Sequence, residues 1–404
     1  MEGSRDSRRS VMFAGRVQRS IFTRAFLLAA IANALLSIAQ SLFVHLPGFL
    51  QQLGAGEAQI GRVMATNAVG AILVWPLVGR LMDARGRRVV VLAGVALQVA
   101  AVGLYLSIDV LGPRVYGIRL LDGMAMAMWY TALFTYAADL VPASRRTEGL
   151  AIFGVSGLIP IGLAALAGDV ILAYATYREL FAGALAFAVL GAIVSLPLRD
   201  VPVVHSEQGI PARGVLATAA ERDLLPVWLA ALAFFVALFA LFSFIKTFVI
   251  ATGTGSVGGF FGAYAAVAVT LRIFLGWLPD RLGLRCMLGV AMGSFAAGFV
   301  VLSLAQTPIH VLLAGLLCGA GHGYAFPILF GLVVDRARSQ ERGAAAAFFT
   351  TLDWVGLLIA GPVVGLAIER VGYSGSFLGL ALLLAMGFAF FYGLDHNSQL
   401  TTQN

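Results

Sequence analysis

The chain has 404 residues, 60% of them hydrophobic and 12% charged, and a formal net charge of +7 at pH 7. A soluble domain carries about 25% charged residues, so a fold wetted on all sides is excluded and lipid must be the solvent over most of the surface. The two cysteines, Cys286 and Cys318, have no metal or redox spacing and read as small packing residues. No nucleophile–base or metal-ligand pattern suggests an enzyme.

A membrane-crossing helix needs roughly 20 apolar residues, so a chain of this length allows about twelve. Runs such as 311–320 and 377–391 are apolar without a break, unlike the alternating strands of a barrel. The 47 glycines suit close helix packing in lipid. Spans are expected at approximately 25–49, 59–81, 88–108, 113–138, 147–173, 178–197, 224–250, 257–281, 285–305, 308–334, 343–369 and 373–394.

The first span follows Arg5, Arg8, Arg9, Arg16, Arg19 and Arg24. Its apolar stretch is longer than the 7–15 residues of a signal peptide, so it reads as retained. Within it, Asn33 and Gln40 are seven residues apart on one face, placed to line a cavity or to bond across helices. Span two ends in Gly79-Arg-Leu-Met-Asp83-Ala-Arg-Gly86-Arg87-Arg88. Gly79 and Gly86 permit close approach and a tight reversal, and Asp83 suits a helix N-terminus or an arginine.

Span four opens with Arg119-Leu-Leu-Asp122-Gly123, where Arg119 and Asp122 can pair one turn apart. Trp129, Tyr130, Tyr136 and Trp354 read as packing aromatics. The one long connection, 198–223, carries Arg199, Asp200, Glu207, Pro211, Arg213, Glu221 and Arg222. It divides the chain into a segment 1–24, spans in 25–197, the linker 198–223, spans in 224–394 and a tail 395–404.

In the second part Lys246, the only lysine, lies near the end of span seven. Arg272 is inside span eight and, being always charged, must meet an anion or a wet cavity. Gly253-Thr-Gly-Ser-Val-Gly258 satisfies a dinucleotide fingerprint, but no strand precedes it, so that reading is rejected. His322 in span ten can titrate or simply be hydrogen-bonded. Asp353 lies about ten residues into span eleven, about 15 Å deep at helical rise. It is either a proton carrier or a fixed partner.

The loops after spans two, four, eight and ten are rich in arginine, and those between are poor in it. Basic loops stay cytoplasmic, which places both termini inside. The charge flanks spans and forms no nucleic-acid patch. The motif after span two returns after span eight as Gly276-Trp-Leu-Pro-Asp280-Arg281-Leu-Gly283-Leu-Arg285, 197 residues later (276 − 79 and 280 − 83). A parallel repeat of six spans is one way transporters are built.

The stretch Gly79 to Arg88 resembles motif A of the major facilitator superfamily, and Arg119 to Gly123 resembles its motif B. Two further stretches, 139–149 and 321–327, resemble bacterial efflux proteins of the drug/proton antiporter type. Span five holds Gly154, Gly157, Pro160 and Gly162 without the Gly-Pro pair of those antiporters, which occurs instead as Gly361-Pro362 in span eleven.

The resemblance covers about residues 25 to 394. It implies an all-α membrane fold of twelve helices in two pseudo-symmetric six-helix bundles. It implies a cytoplasmic latch at Gly79, Asp83, Gly86, Arg87, Arg88, Asp280 and Arg281. Coupling or substrate contact is expected from Asp353, Arg119, Asp122, Arg272, His322, Asn33, Gln40 and Lys246. The expected activity is proton-coupled export of a small organic molecule by alternating access, from a monomer in the bacterial inner membrane. No cofactor is expected beyond the proton as coupling ion. Symport uptake of an anionic metabolite is one alternative, and a non-transporting receptor or assembly factor is another.

Overall fold

The computed structural model describes residues 21–142, 145–200, 215–338 and 340–402. The N-terminal arginines up to Arg19, the middle of the expected linker (201–214) and the end of the tail (403–404) lie outside the described residues.

The described chain is helical from end to end. Helix α1 (Arg24–Ser41) continues through a 3₁₀ turn, Leu42–His45, into a short helix, Leu46–Gln52. There follow α2 (Glu57–Arg85), α3 (Arg87–Tyr105), α4 (Pro113–Leu140), α5 (Arg146–Tyr174) and α6 (Tyr177–Ser195). Next come α7 (Leu225–Thr252), α8 (Val257–Phe274), α9 (Leu284–Ser303) and α10 (Pro308–Arg336). The last run, Arg342–Thr402, breaks at Gly372, whose φ of 73° and ψ of 176° are not helical. We label its two segments α11 (342–371) and α12 (373–402).

Local chemistry sets these ends. The Thr23 hydroxyl accepts from the Phe26 amide at 3.2 Å at the start of α1. Thr176 and Glu179 form a capping box at the start of α6. Pro113 and Pro308 begin α4 and α10, where a missing N–H costs nothing. Gly86 and Gly283 close the two copies of the repeated motif with φ of 84° and 88°, a region that favours glycine.

Ten of the described helical stretches are long and apolar enough to cross a membrane. Two departures from the expected list have plain causes. The run from Arg342 to Leu394 counts once because its helices join end to end at Gly372. Helix α4 is not among the ten, and it holds Arg114, Arg119, Asp122 and Asp139. Its buried residues nevertheless include Arg119 and Asp122, so it lies inside the assembly. The protein is thus an all-α, multi-span membrane protein.

Helix α1 packs on α5 and α6, α4 on α2 and α3, and α3 on α6. Helix α10 packs on α8 and α9, and the 342–402 run lies against α7 and α9. Contacts between early and late helices are concentrated where that run meets α2 and where α5 meets α8.

The α2–α11 contact is close at one end only. A Cβ on Gly61 would meet the Gly361 carbonyl, and one on Gly361 would meet that of Gly61. Gly79 and Gly343 each lie 18 residues along their helices from this pair (79 − 61 and 361 − 343). Eighteen residues are about five turns and 27 Å, so they occupy the same faces. Neither has any atom within 4 Å of an added Cβ. The two helices are in backbone contact at the end opposite the arginine-rich loops, keep side-chain contact at mid-length through Trp354 with Ala68 and Ala71, and splay only toward the basic end.

Candidate functional site

The most buried charges form one network among the first four helices. Arg119 (4% exposed) and Asp122 (0%) sit three residues apart on α4, with Nη1 donating to Oδ2 at 2.5 Å. Asn67 of α2 donates to the same oxygen at 3.0 Å, and Gln98 of α3 donates to Oδ1 at 2.9 Å. Gln40 of α1 accepts from Gln98 at 3.1 Å and reaches Asp122 at 3.5 Å. The Trp129 indole N–H donates to Gln98 at 3.1 Å.

Close helix packing positions this network. A Cβ on Gly123 would meet the Asn67 backbone carbonyl, and one on Gly70 would meet that of Leu120. A buried carboxylate needs this many donors to remain an anion. The arginine is less well served: Nη2 meets the Met64 sulfur at 3.9 Å, the buried Tyr105 hydroxyl lies beside it, and Nε has no partner.

A second group of polar residues lies on α4, α8, α10 and α11, drawn from both early and late helices. Tyr130 of α4 is 41% exposed in mid-helix, and the charges of Asp353 on α11 and Arg272 on α8 both act on it. Asp353 is half-buried and, among the described residues, makes no hydrogen bond or ion pair. Arg272 is half-buried too, and its Nε donates to the Gly323 carbonyl at 3.4 Å. His322 and the Tyr264 hydroxyl share a hydrogen bond. Phe326 and Phe349 pack edge to face nearby, against Phe235. Next to Asp353, Trp354 packs with Ala68, Ala71 and Ala127 of α2 and α4.

The third group closes the end away from the basic loops. Glu57 accepts from Thr247 at 3.0 Å and from Tyr373 at 2.7 Å. Glu369 accepts from the Ala58 amide at 2.9 Å, and Asp169 accepts from the Gly258 amide at 2.5 Å. The buried His45 ring bonds the Ala165 carbonyl through Nε2 at 3.2 Å, with Nδ1 3.9 Å from Asp169. The charges of Lys246 and Asp169 act on each other here.

The expected site residues therefore separate. Arg119 and Asp122 pair as their spacing allowed. Asn33 and Gln40 diverge: Asn33 donates to Ser156 of α5 at 2.9 Å, whereas Gln40 joins the α4 network. Lys246 belongs to the closed end, and Arg272, His322 and Asp353 to the interior.

At the basic end Arg87 lies 3.6 Å from Asp83 and 3.1 Å from Asp139, all within the early helices. Arg88 donates to the Leu198 carbonyl at 2.6 Å. Arg281 lies 4.7 Å over the Trp277 ring, and Asp280 is exposed. Among the described residues, none of these contacts ties early to late helices. Asn67, Gln98, Glu57, Asp169 and Glu369 were not expected as site residues. For Asn67 and Gln98 the available signal was an amide in the middle of an apolar span.

Among the described residues no group of three or more His, Cys, Asp or Glu side chains is placed to hold a metal ion.

Comparison with known proteins agrees with this architecture. An uncharacterized MFS-type transporter of Pseudomonas aeruginosa (strain UCBPP-PA14) is 24% identical over 364 residues, covering 88% of this chain and 89% of that protein. A mutant of the nucleoside transporter NupG superposes with a TM-score of 0.79 at 14% identity, covering 92% of this chain and 99% of that one. A bacterial homolog of the human lysosomal transporter Spinster, inward-facing and unoccupied, superposes with a TM-score of 0.74 at 13% identity, covering 92% and 96%. The Major Facilitator Superfamily model matches residues 25–352 and 255–403. With its multi-span helical fold and a family match over nearly its whole length, this chain belongs to the Major Facilitator Superfamily and is a secondary transporter.

Proposed function

We propose that the protein is a proton-coupled exporter of a small organic molecule that works by alternating access. The reading takes α1–α6 (25–197) and α7–α12 (224–394) as two pseudo-symmetric bundles, crossing the membrane twelve times. Both termini and the linker 198–223 then lie in the cytoplasm, and the protein acts as a monomer in the bacterial inner membrane. The basic end is cytoplasmic, and the splay of α2 from α11 is an inward-open state.

The observation that carries the proposal is Asp353. A carboxylate in mid-membrane is costly when charged, and among the described residues this one has no fixed partner. Its charge acts on Tyr130, as does that of Arg272. A fixed structural carboxylate looks like Asp122, with donors at 2.5, 2.9 and 3.0 Å. Asp353 is free to take a proton in one state and release it in another. The test is substrate-dependent proton flux in proteoliposomes, screened over drugs and metabolites. Flux against the substrate gradient with counter-moving protons supports export.

Arg272 favours a second reading, uptake of an anionic metabolite by symport. Among the described residues its terminal nitrogens make no hydrogen bond, so an anion can take them. Co-directional movement of protons and substrate in the same assay would select that reading.

A further inference from the structure

The closed end contains a repeat not visible in the motifs. Glu369 of α11 caps the N-terminus of α2 at the Ala58 amide, and Asp169 of α5 caps the N-terminus of α8 at the Gly258 amide. The capped amides are 200 residues apart (258 − 58), and so are the capping carboxylates (369 − 169). The two helices also begin 200 residues apart, at Glu57 and Val257. In each case a carboxylate on a late helix of one half reaches the first turn of the second helix of the other half.

Both contacts are built for a carboxylate. A Cβ on Gly56, the residue before α2, would lie 2.7 Å from a Glu369 oxygen. One on Gly258 would lie 2.9 Å from an Asp169 oxygen. Gly56 offers α2 no side-chain cap, so Glu369 supplies what the local sequence lacks. At α8, Ser256 takes the Gly259 amide at 2.9 Å and leaves the Gly258 amide to Asp169. Negative charge is favoured at both places by the helix dipole and by unpaired first-turn N–H groups.

We propose that Asp169 and Glu369 are a symmetric pair of releasable clasps that set the balance between the two access states. Each joins one half of the protein to the other and lies where α5–α8 and α2–α11 must part when this end opens. Glu57, with Thr247 and Tyr373, fastens the same seam from the opposite carboxylate. The proposal rests on the alternating-access reading.

Spin labels test it. One pair reports the clasped end, Gln52→Cys with Val371→Cys; a second reports the basic end, Ala84→Cys with Arg342→Cys. All four positions are exposed, and Cys286→Ser removes the exposed native thiol. A charge-assisted hydrogen bond contributes about 1.5–3 kcal/mol. Glu369→Ala and Asp169→Ala should therefore each raise the ratio of open to closed distances at the clasped end about tenfold or more. The two share no partner, so the double variant should show about the product. Glu369→Gln and Asp169→Asn keep an acceptor and should shift the ratio in the same direction by less. They carry the test if the alanine variants do not fold.

Unchanged distances in a folded double variant would overturn the clasps, and so would a shift from one carboxylate alone. If both label pairs stay fixed in the parent protein under a pH gradient and over the substrate panel, alternating access itself fails. The clasps then fall with it.

Discussion

Asp122→Asn should be among the most damaging conservative changes in the protein, and Arg119→Met should damage it less. At 2.5 Å the Arg119–Asp122 pair has a gross Coulomb energy of about 7 kcal/mol at an effective dielectric near 20. Most of that offsets desolvation. Asp122→Asn leaves a guanidinium, 4% exposed, with no anion beside it and only neutral neighbours, the amide oxygen, the Met64 sulfur and the Tyr105 hydroxyl. Breaking a buried pair in this way costs about 3–5 kcal/mol. Arg119→Met leaves the carboxylate with amide donors from Asn67 and Gln98 at 3.0 and 2.9 Å. The loss should then be about 1–3 kcal/mol. The double variant strands no charge and should recover most of the Asp122→Asn loss. Thermal unfolding of the detergent-purified protein, followed by tryptophan fluorescence, gives the order. A double variant no more stable than Asp122→Asn would refute the reasoning. If Asp122→Asn keeps its stability but loses driven transport, the pair serves proton transfer instead.

Asp353→Asn should keep stability and downhill substrate exchange while gradient-driven flux is lost; unchanged driven flux would remove Asp353 as the coupling site. Gly61→Ala should disturb the α2–α11 contact at Gly361 and cost about 1–3 kcal/mol, as overpacking does. Gly79→Ala meets open space here and should leave thermal stability near that of the parent; equal losses in the two variants would count against the splay. A cysteine at position 210 should resist impermeant thiol reagents in intact cells, and labelling there would invert the proposed topology.

The long apolar runs, the glycine-ended motif and its echo 197 residues later were readable because each is local in the chain. The Arg119–Asp122 pair was readable because two residues one turn apart on a helix are neighbours wherever it packs. Its surroundings were not. Gln40, Asn67 and Gln98 come from three other helices, and which amides converge on one carboxylate depends on helix rotation. The clasp residues were hidden for a related reason. Glu57, Asp169 and Glu369 lie near helix ends, where an acidic residue looks like ordinary surface polarity. Only the crossing of α2 with α11 and of α5 with α8 carries them to the opposite half. Asn33 and Gln40, seven residues apart, both bond across helices, one of the two expectations for them, but which helix each reaches was not readable: Ser156 for one, and Gln98 and Asp122 for the other.

The placement of the polar bonds separates what must stay from what must move. The Arg119 network draws every partner from α1 to α4, so a rocking of the two halves breaks none of its bonds. Its full burial, which makes each partner costly to lose, is therefore compatible with motion. The bonds that do cross between halves are of another kind. Among the described residues the hydrogen bonds that cross are single carboxylates on backbone amides or hydroxyls, each contributing about 1.5–3 kcal/mol, with Lys246 acting on Asp169 through charge, and water can replace them when the seam opens. A buried ion pair across the seam would cost about 3–5 kcal/mol to break and would hold one state too firmly. Ligand shifts of a few kcal/mol can redistribute a two-state protein only if the states differ by about that much. Bonds of clasp strength at the seam, with the strong pair kept inside one half, meet that condition. Among the described residues Asp353 has no fixed partner to lose, so the charge proposed to couple protons adds no bond that the motion must break.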